Sequence, residues 1–192
     1  MGGPGTIPPP SATIPARPAG APPPGTPLGS HYAHCFGCGP QVPGGLHLAL
    51  TAGEGLTVSA EFQVTAGHQG APGLAHGGLL ACAFDEALGA VTWLARVPAV
   101  TAALHTDFRA PVPVGSTLHI VAEVTGVAGR KVYTAATGRL GDPSGRVAVQ
   151  AAALFVAVPL SHFKEHGRPE DVAAAAAQRD VLAALRDFDV NP

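Results

Sequence analysis

The sequence predicts an α+β domain in which one long apolar helix is held by an antiparallel sheet of about six strands. Three observations carry this. Residues 77–94, GGLLACAFDEALGAVTWL, are small or apolar on nearly every side, the pattern of a helix wrapped by other structure. Two runs before this segment and four after it read as strands with buried faces. The later runs are joined by short turns, such as Gly129 and GDPSG at 141–145, which suit antiparallel neighbours.

In chain order, residues 1–30 come first and are expected to be a disordered or polyproline-like tail. Half of the twenty prolines stand in residues 1–29, and the Gly and Ala between them offer little apolar surface to bury. The folded domain is expected over 31–160. GLHLAL (45–50) and GLTVSAEFQV (55–64) alternate apolar with polar residues, and the link at 52–55 suits a hairpin. A Gly-rich loop, 67–75, leads into the helix. Strands follow near 98–109, 116–127, 130–140 and 146–158, the first two separated by Pro-Val-Pro-Val-Gly at 111–115. A C-terminal helical extension closes the chain over 161–192. There Pro169 suits the first helical position and Glu170 and Asp171 the first turn.

Bulk composition narrows the function. The 192 residues allow one domain with appendages. Hydrophobic residues make up 46% and charged ones only 12%, so part of the surface is expected to be covered by another subunit. A net charge of −2 argues against nucleic-acid binding. No uninterrupted apolar run reaches the ~18 residues of a membrane span, and the N-terminus lacks the apolar segment of a secretory signal. Cys35, Cys38 and Cys82 do not make a disulfide framework, and a cytoplasmic location is expected.

The helix carries the chemistry. Asp85 and Glu86 are its only charges between Leu79 and Val91, so at least one acid is expected in a partly dry place. The first turn of a helix has unpaired N–H groups and a partial positive charge. Gly77 and Gly78 let a substrate approach that backbone, which suits a developing oxyanion in acyl transfer. A desolvated carboxyl can serve as general base or nucleophile. Eight residues separate Gly77 from Asp85, about 12 Å at ~1.5 Å per residue. One helix therefore cannot bring both groups to one carbonyl, whereas two antiparallel copies across a twofold axis can. Glu86 points about 100° away round the helix and is not expected to be a second catalyst.

HQGAPGLAHGGLLACAFDEALGA, followed by VTAALHTDFRAPVPVGSTLHIVAEV, resembles the PaaI-like acyl-CoA thioesterases of the hot-dog fold. The likeness spans roughly residues 34–158, and the CFGCGP…GLHL opening resembles one branch of that family. The resemblance implies a long central helix wrapped by a curled antiparallel sheet, a homodimer or dimer of dimers built through continuous sheets, and hydrolysis of an acyl-CoA thioester without a cofactor. It assigns Asp85 as the catalytic carboxylate, Gly77 as the N–H that polarises the carbonyl, and His76 as the motif histidine supporting the loop. Thr101 falls where a Ser or Thr orients the attacking water. Many members carry Asn where this chain has Gly70; the neighbouring Gln69 is the candidate substitute. Gly78 and Gln69 are expected near the substrate, and Arg109, Arg130 and Lys131 are the candidate cations for the phosphates of coenzyme A. Phe84, Leu88, Trp93 and Phe108 are expected to shape the acyl tunnel.

Other readings stand beside this one. A non-catalytic acyl-CoA or hydrophobic-ligand binding module could use the same fold, but would have no use for Asp85. A hot-dog hydratase would want a His shortly after the Asp, which is missing. Cys35-Phe-Gly-Cys38 with His31 and His34 resembles half a zinc site; lacking a second cysteine pair, it reads as a tight turn with two buried thiols, and no metal is expected. His68 and His105 read as packing or surface residues, and Asp107 as a local ion-pair partner of Arg109.

Overall fold

The computed structural model describes residues 2–3 and 5–177. Its centre is helix α1, Gly77–Leu94, the 18 residues expected. Leu80, Ala83, Phe84, Ala87, Leu88, Val91 and Leu94 are all buried, a stripe at helical spacing that Ala90 and Thr92 widen. His76 caps the start: its Nδ1 accepts the Gly78 N–H at 2.9 Å. At the other end Arg96 takes a left-handed φ of 58°, its N–H bonds the Trp93 carbonyl, and Pro98 follows shortly. By length and composition α1 is the one helix among the described residues apolar enough to cross a membrane; half of it is buried inside the protein.

Seven strands wrap it: β1 Pro27–Leu28, β2 Ala49–Ala52, β3 Thr57–Gln63, β4 Ala99–Phe108, β5 Thr117–Ala128, β6 Lys131–Leu140 and β7 Val147–Ala157. Their order is β1-β2-β3-β5-β6-β7-β4, and every neighbouring pair is antiparallel. α1 packs on β2 through β7, so the sheet curls round it. Strands alternate as expected: along β3, Val58, Ala60 and Phe62 face in while Ser59, Glu61 and Gln63 face out. The interior is filled by Phe62, Phe84, Leu88, Leu94, Leu118, Ile120 and Val149. Each such fully buried large side chain contributes about 1.5–3 kcal/mol.

Two placements depend on the whole sheet. β4 follows α1 directly in sequence but lies at the sheet edge, bonded on one side to β7. Among the described residues no strand pairs with its other side. Gly138 on β6 lies under α1, where a Cβ would sit 2.6 Å from the Phe84 ring. Glycine there lets the helix seat against the sheet.

The N-terminal segment departs from the expected disordered tail. Thr13 and Val127 exchange two backbone hydrogen bonds of 3.0 and 2.8 Å, and the Gly25 N–H bonds Ala52 at 2.7 Å. β1 then pairs with β2, and Arg17 donates to the carbonyls of Gly53, Gly55 and Pro22. A proline-rich chain has few N–H donors and little to bury, yet its extended backbone suits the unpaired groups along a sheet. The C-terminal extension is two helices, α2 Ser161–His166 and α3 Pro169–Ala177, with Gly167 between them. Pro169 opens α3 as expected; the remainder of the predicted helix lies outside the described residues. Tyr32 donates to Asp171 at 3.0 Å and so ties α3 to the start of the domain.

Gly138→Ala tests the seating of α1. Overpacking of this kind destabilises by about 1–3 kcal/mol. The unfolding free energy in urea is expected to fall by that amount, read as a lower midpoint at an unchanged m-value.

Candidate active site

Asp85 lies half-buried on α1, on the side facing β4. Thr101, near the start of β4, donates its hydroxyl to Asp85 Oδ1 at 3.0 Å. A bulge in the β4–β7 ladder falls between Thr101 and Ala103. Bulges of this kind re-aim a neighbouring side chain, here beside the carboxylate. Burial pushes the Asp85 pKa upward; the Thr101 hydrogen bond opposes the shift, and the adjacent Glu86 charge adds to it. The two residues paired by the sequence reading are therefore in contact.

The loop before α1 is braced by its own residues. The Gly78 N–H is taken by His76 Nδ1, so the neutral imidazole carries its proton on Nε2, free to point outward as a donor. The Leu79 and Leu80 N–H groups both bond the His76 carbonyl. Among the hydrogen bonds of the described residues none uses the Gly77 N–H. His68, buried against Phe62, accepts the His76 N–H at 2.7 Å through its own carbonyl. Gln69 Oε1 accepts the Gly73 N–H at 3.0 Å, so this side chain holds its loop. Gly70, where Asn was the alternative, is set by space: a Cβ there would lie 2.8 Å from His76 Cα.

Gly77 opens onto a hollow of about 340 Å³ lined by Leu74, Leu80, Phe108, Arg109 and Val112 among others. Phe108, 54% exposed, forms its apolar wall. Of the four side chains expected to shape a tunnel, only Phe108 lies here. Phe84 and Leu88 are fully buried core, and Trp93 packs against His31 with ring centres 5.0 Å apart and planes tilted by 57°. Arg109 borders the hollow and pairs with Asp107 at 3.0 Å, the ion pair the sequence suggests. His105 also faces Asp107, at 3.4 Å. Arg130 and Lys131 sit at the turn between β5 and β6, at the sheet end that carries Thr101. A larger hollow, about 610 Å³, lies on the outer face of the sheet around Glu61 and His119; it contains none of these residues.

The site is thus in two parts. Gly77 meets Phe108 at one end of β4, and Asp85 meets Thr101 at the other. The unused N–H and the carboxylate stand about 12 Å apart along α1. Glu86, although adjacent to Asp85, turns instead toward Cys35 and His31. That contact lies beyond sequence reasoning, because 51 or more positions separate the partners and no spacing rule links them.

Residues 72–145 match the model of the Thioesterase superfamily. Over 88 residues, 46% of this chain, the sequence is 35% identical to the acyl-coenzyme A thioesterase THEM4 of Xenopus laevis. The match spans 39% of that protein, so the chain covers well under half the length of this relative. Among solved structures, a crystal structure described as a thioesterase superfamily protein is similar with a TM-score of 0.59 at 30% identity, over 65% of this chain and 60% of that one. The PaaI protein of E. coli, from the phenylacetic acid degradation operon, shares the fold with a TM-score of 0.55 at 18% identity, over 59% of this chain and 81% of that one.

The raised Asp85 pKa has a consequence for stability. Folded Asp85 keeps its proton to a higher pH than in the unfolded chain, so the folded state binds more protons between the two pKa values and stability falls as pH rises through that window. Asp85→Asn is expected to melt higher than wild type at neutral pH, with the gain closing once the pH drops below the ordinary aspartate range. Thr101→Ala is expected to move the Asp85 carboxyl further upward in a carbon-13 NMR titration.

Proposed function

We propose that the chain carries a PaaI-like hot-dog thioesterase domain and hydrolyses an acyl-CoA thioester to a free acid and coenzyme A; the match of residues 72–145 to the Thioesterase superfamily and the 35% identity to an acyl-coenzyme A thioesterase over 88 residues support this reading. The observation that carries this reading is the pairing of Asp85 with Thr101 at one end of β4, against the unused Gly77 N–H at the other. The open edge of β4 supplies the assembly. A second copy paired antiparallel along it would set the Thr101 end of one strand beside the Phe108 end of the other. Gly77 of one subunit would then face Asp85 of the partner subunit, and the dimer would hold two equivalent sites.

In this site the Gly77 N–H, backed by the helix dipole, donates to the thioester oxygen and stabilises the charge that develops on it. The His76 Nε2–H is a second donor at the same helix end. Asp85 takes a proton from water, or attacks the carbonyl directly, and its raised pKa makes it a better base near neutral pH than an ordinary aspartate. Thr101 holds the carboxylate and offers its oxygen lone pairs to the water. On the general-base route the water oxygen bonds to the carbonyl carbon, the C–S bond breaks, and the thiolate of coenzyme A leaves and takes up the proton held by Asp85; on the direct route the C–S bond breaks to leave an acyl–Asp85 anhydride, which a water then hydrolyses to the free acid. Gly78 leaves the backbone open beside the carbonyl, and Gln69 keeps the loop in place. Arg109 of one subunit and Arg130 and Lys131 of the other flank the same site and suit the phosphates of coenzyme A. Phe108 offers the acyl chain its apolar wall.

The alternative is a module that binds acyl-CoA without turnover. Its discriminator is free-thiol release from a panel of acyl-CoAs. Wild type is expected to turn over, and Asp85→Asn to lose about 10²–10⁴-fold in kcat. Gly77→Pro isolates the N–H, since proline suits the first helical position and His76 already has the extended backbone it requires. That variant is expected to fold and to lose about 10²–10³-fold in kcat. Tight binding with no thiol released would support the module. An active monomer in sedimentation velocity would sink the shared site.

A further inference from the structure

Four metal-ligating side chains converge outside this site. His31, Cys35 and Cys38 come from the loop before β2, and Glu86 from the middle of α1. Their ligand atoms all lie within 4.8 Å of one another. Cys38 Sγ is 3.2 Å from His31 Nδ1, Cys35 Sγ is 3.4 Å from a Glu86 carboxylate oxygen, and His31 Nδ1 is 3.6 Å from the other. A tetrahedral zinc with bonds of about 2.0–2.3 Å places neighbouring ligand atoms about 3.3–3.8 Å apart. We propose that His31, Cys35, Cys38 and Glu86 bind one zinc ion as a structural site that clamps residues 31–46 to α1.

Four features of the cluster favour an ion over hydrogen bonding alone. Glu86 Oε1 is buried and has no hydrogen-bond partner. A buried carboxylate oxygen without a donor is costly, and a cation would satisfy it. His31 Nδ1 faces both Cys38 and Glu86 Oε1, and one ring nitrogen can give a proton to only one of them. The loop is shaped for the approach of the ligands. Gly37 leaves room for the Glu86 carboxylate, and Gly39 closes the Cys-x-x-Cys turn by bonding the Cys35 carbonyl at 2.7 Å. Finally, groups outside the four orient them: Ser30 Oγ lies 3.4 Å from Cys38 Sγ, and Trp93 backs the imidazole.

Two thiolates, a carboxylate and a neutral imidazole around a divalent zinc ion leave a net charge of −1, and the thiol protons pass to solvent. The half-site read from the sequence is thereby completed by Glu86, while His34 stays outside the cluster and packs near Tyr32. The site does not depend on the proposed hydrolysis.

The full chain, purified without chelators, is expected to carry about one zinc per chain by mass-spectrometric metal analysis. A strong chelator should lower its melting temperature. After exchange, one equivalent of cobalt(II) is expected to give thiolate-to-metal charge-transfer bands and the visible bands of a tetrahedral ion. Cys35→Ser and Cys38→Ser should abolish the charge-transfer bands, Glu86→Gln should weaken cobalt binding at least tenfold, and His34→Ala should change neither. If a cysteine variant fails to fold, the wild-type cobalt spectrum still decides. A reduced wild-type chain that takes up neither metal overturns the proposal. So does a Cys35–Cys38 disulfide in the purified protein, or undiminished cobalt binding by the folded cysteine variants.

Discussion

The sheet curls round a helix of which half is buried, and the placement of both acids follows from that. Phe84, Leu88 and Val91 are fully enclosed, so a carboxylate on α1 can survive only where the wrapping leaves a gap with a partner in it. Asp85 and Glu86 are adjacent and therefore point about 100° apart. One emerges beside β4 and meets Thr101; the other emerges beside the 31–38 loop and meets Cys35 and His31. The same burial that makes α1 a core element raises the Asp85 pKa, so this carboxyl is shifted by the fold's own packing.

Sheet order does the second part of the work. β4 leaves α1 and runs back along it, yet pairs with the last strand rather than with its sequence neighbour. This puts a ten-residue strand at an open edge, with the two halves of the candidate site at its two ends. Long unpaired edges invite pairing with another chain. At the opposite margin the edge is managed differently: β1 covers β2, and the proline-rich segment spends its few hydrogen-bonding groups on the sheet. Among the described residues the two margins therefore differ in kind, one closed from within the chain and one left open where the candidate site is divided.

Much of this was legible from residue patterns. The limits of α1 followed from its apolar periodicity and the glycines before it, because an enclosed helix leaves no freedom in which positions are polar. The long strands followed from alternation and turn residues. Asp85, Gly77, His76 and Thr101 are candidates that the resemblance supplies, and the contact between Asp85 and Thr101 is the part the structure adds; the Asp107–Arg109 pair follows from local spacing. Less legible were residues whose role depends on what lies opposite them. Phe84 and Leu88 were expected at the acyl tunnel and are core, since hydrophobicity alone does not tell a tunnel wall from an interior. Gln69 turned out to brace its own loop, and Gly70 to be held by contact with His76. The proline-rich segment was expected to be disordered because composition reports what a segment can bury, not which unpaired backbone lies within its reach.

By itself the sequence determined the helix, the alternation of the strands and the chemical types at the candidate site, because these rest on periodicity and on what each residue's backbone and side chain allow. Only the tertiary structure decided which groups meet. The Gly77 and Asp85 ends of α1 are separated by a rigid rise per residue, so they were always going to be apart. That Asp85 meets Thr101, that Gly77 faces Phe108, and that Glu86 completes the His31, Cys35 and Cys38 cluster are consequences of sheet order and curl. Those depend on long-range packing, for which local sequence carries no spacing rule.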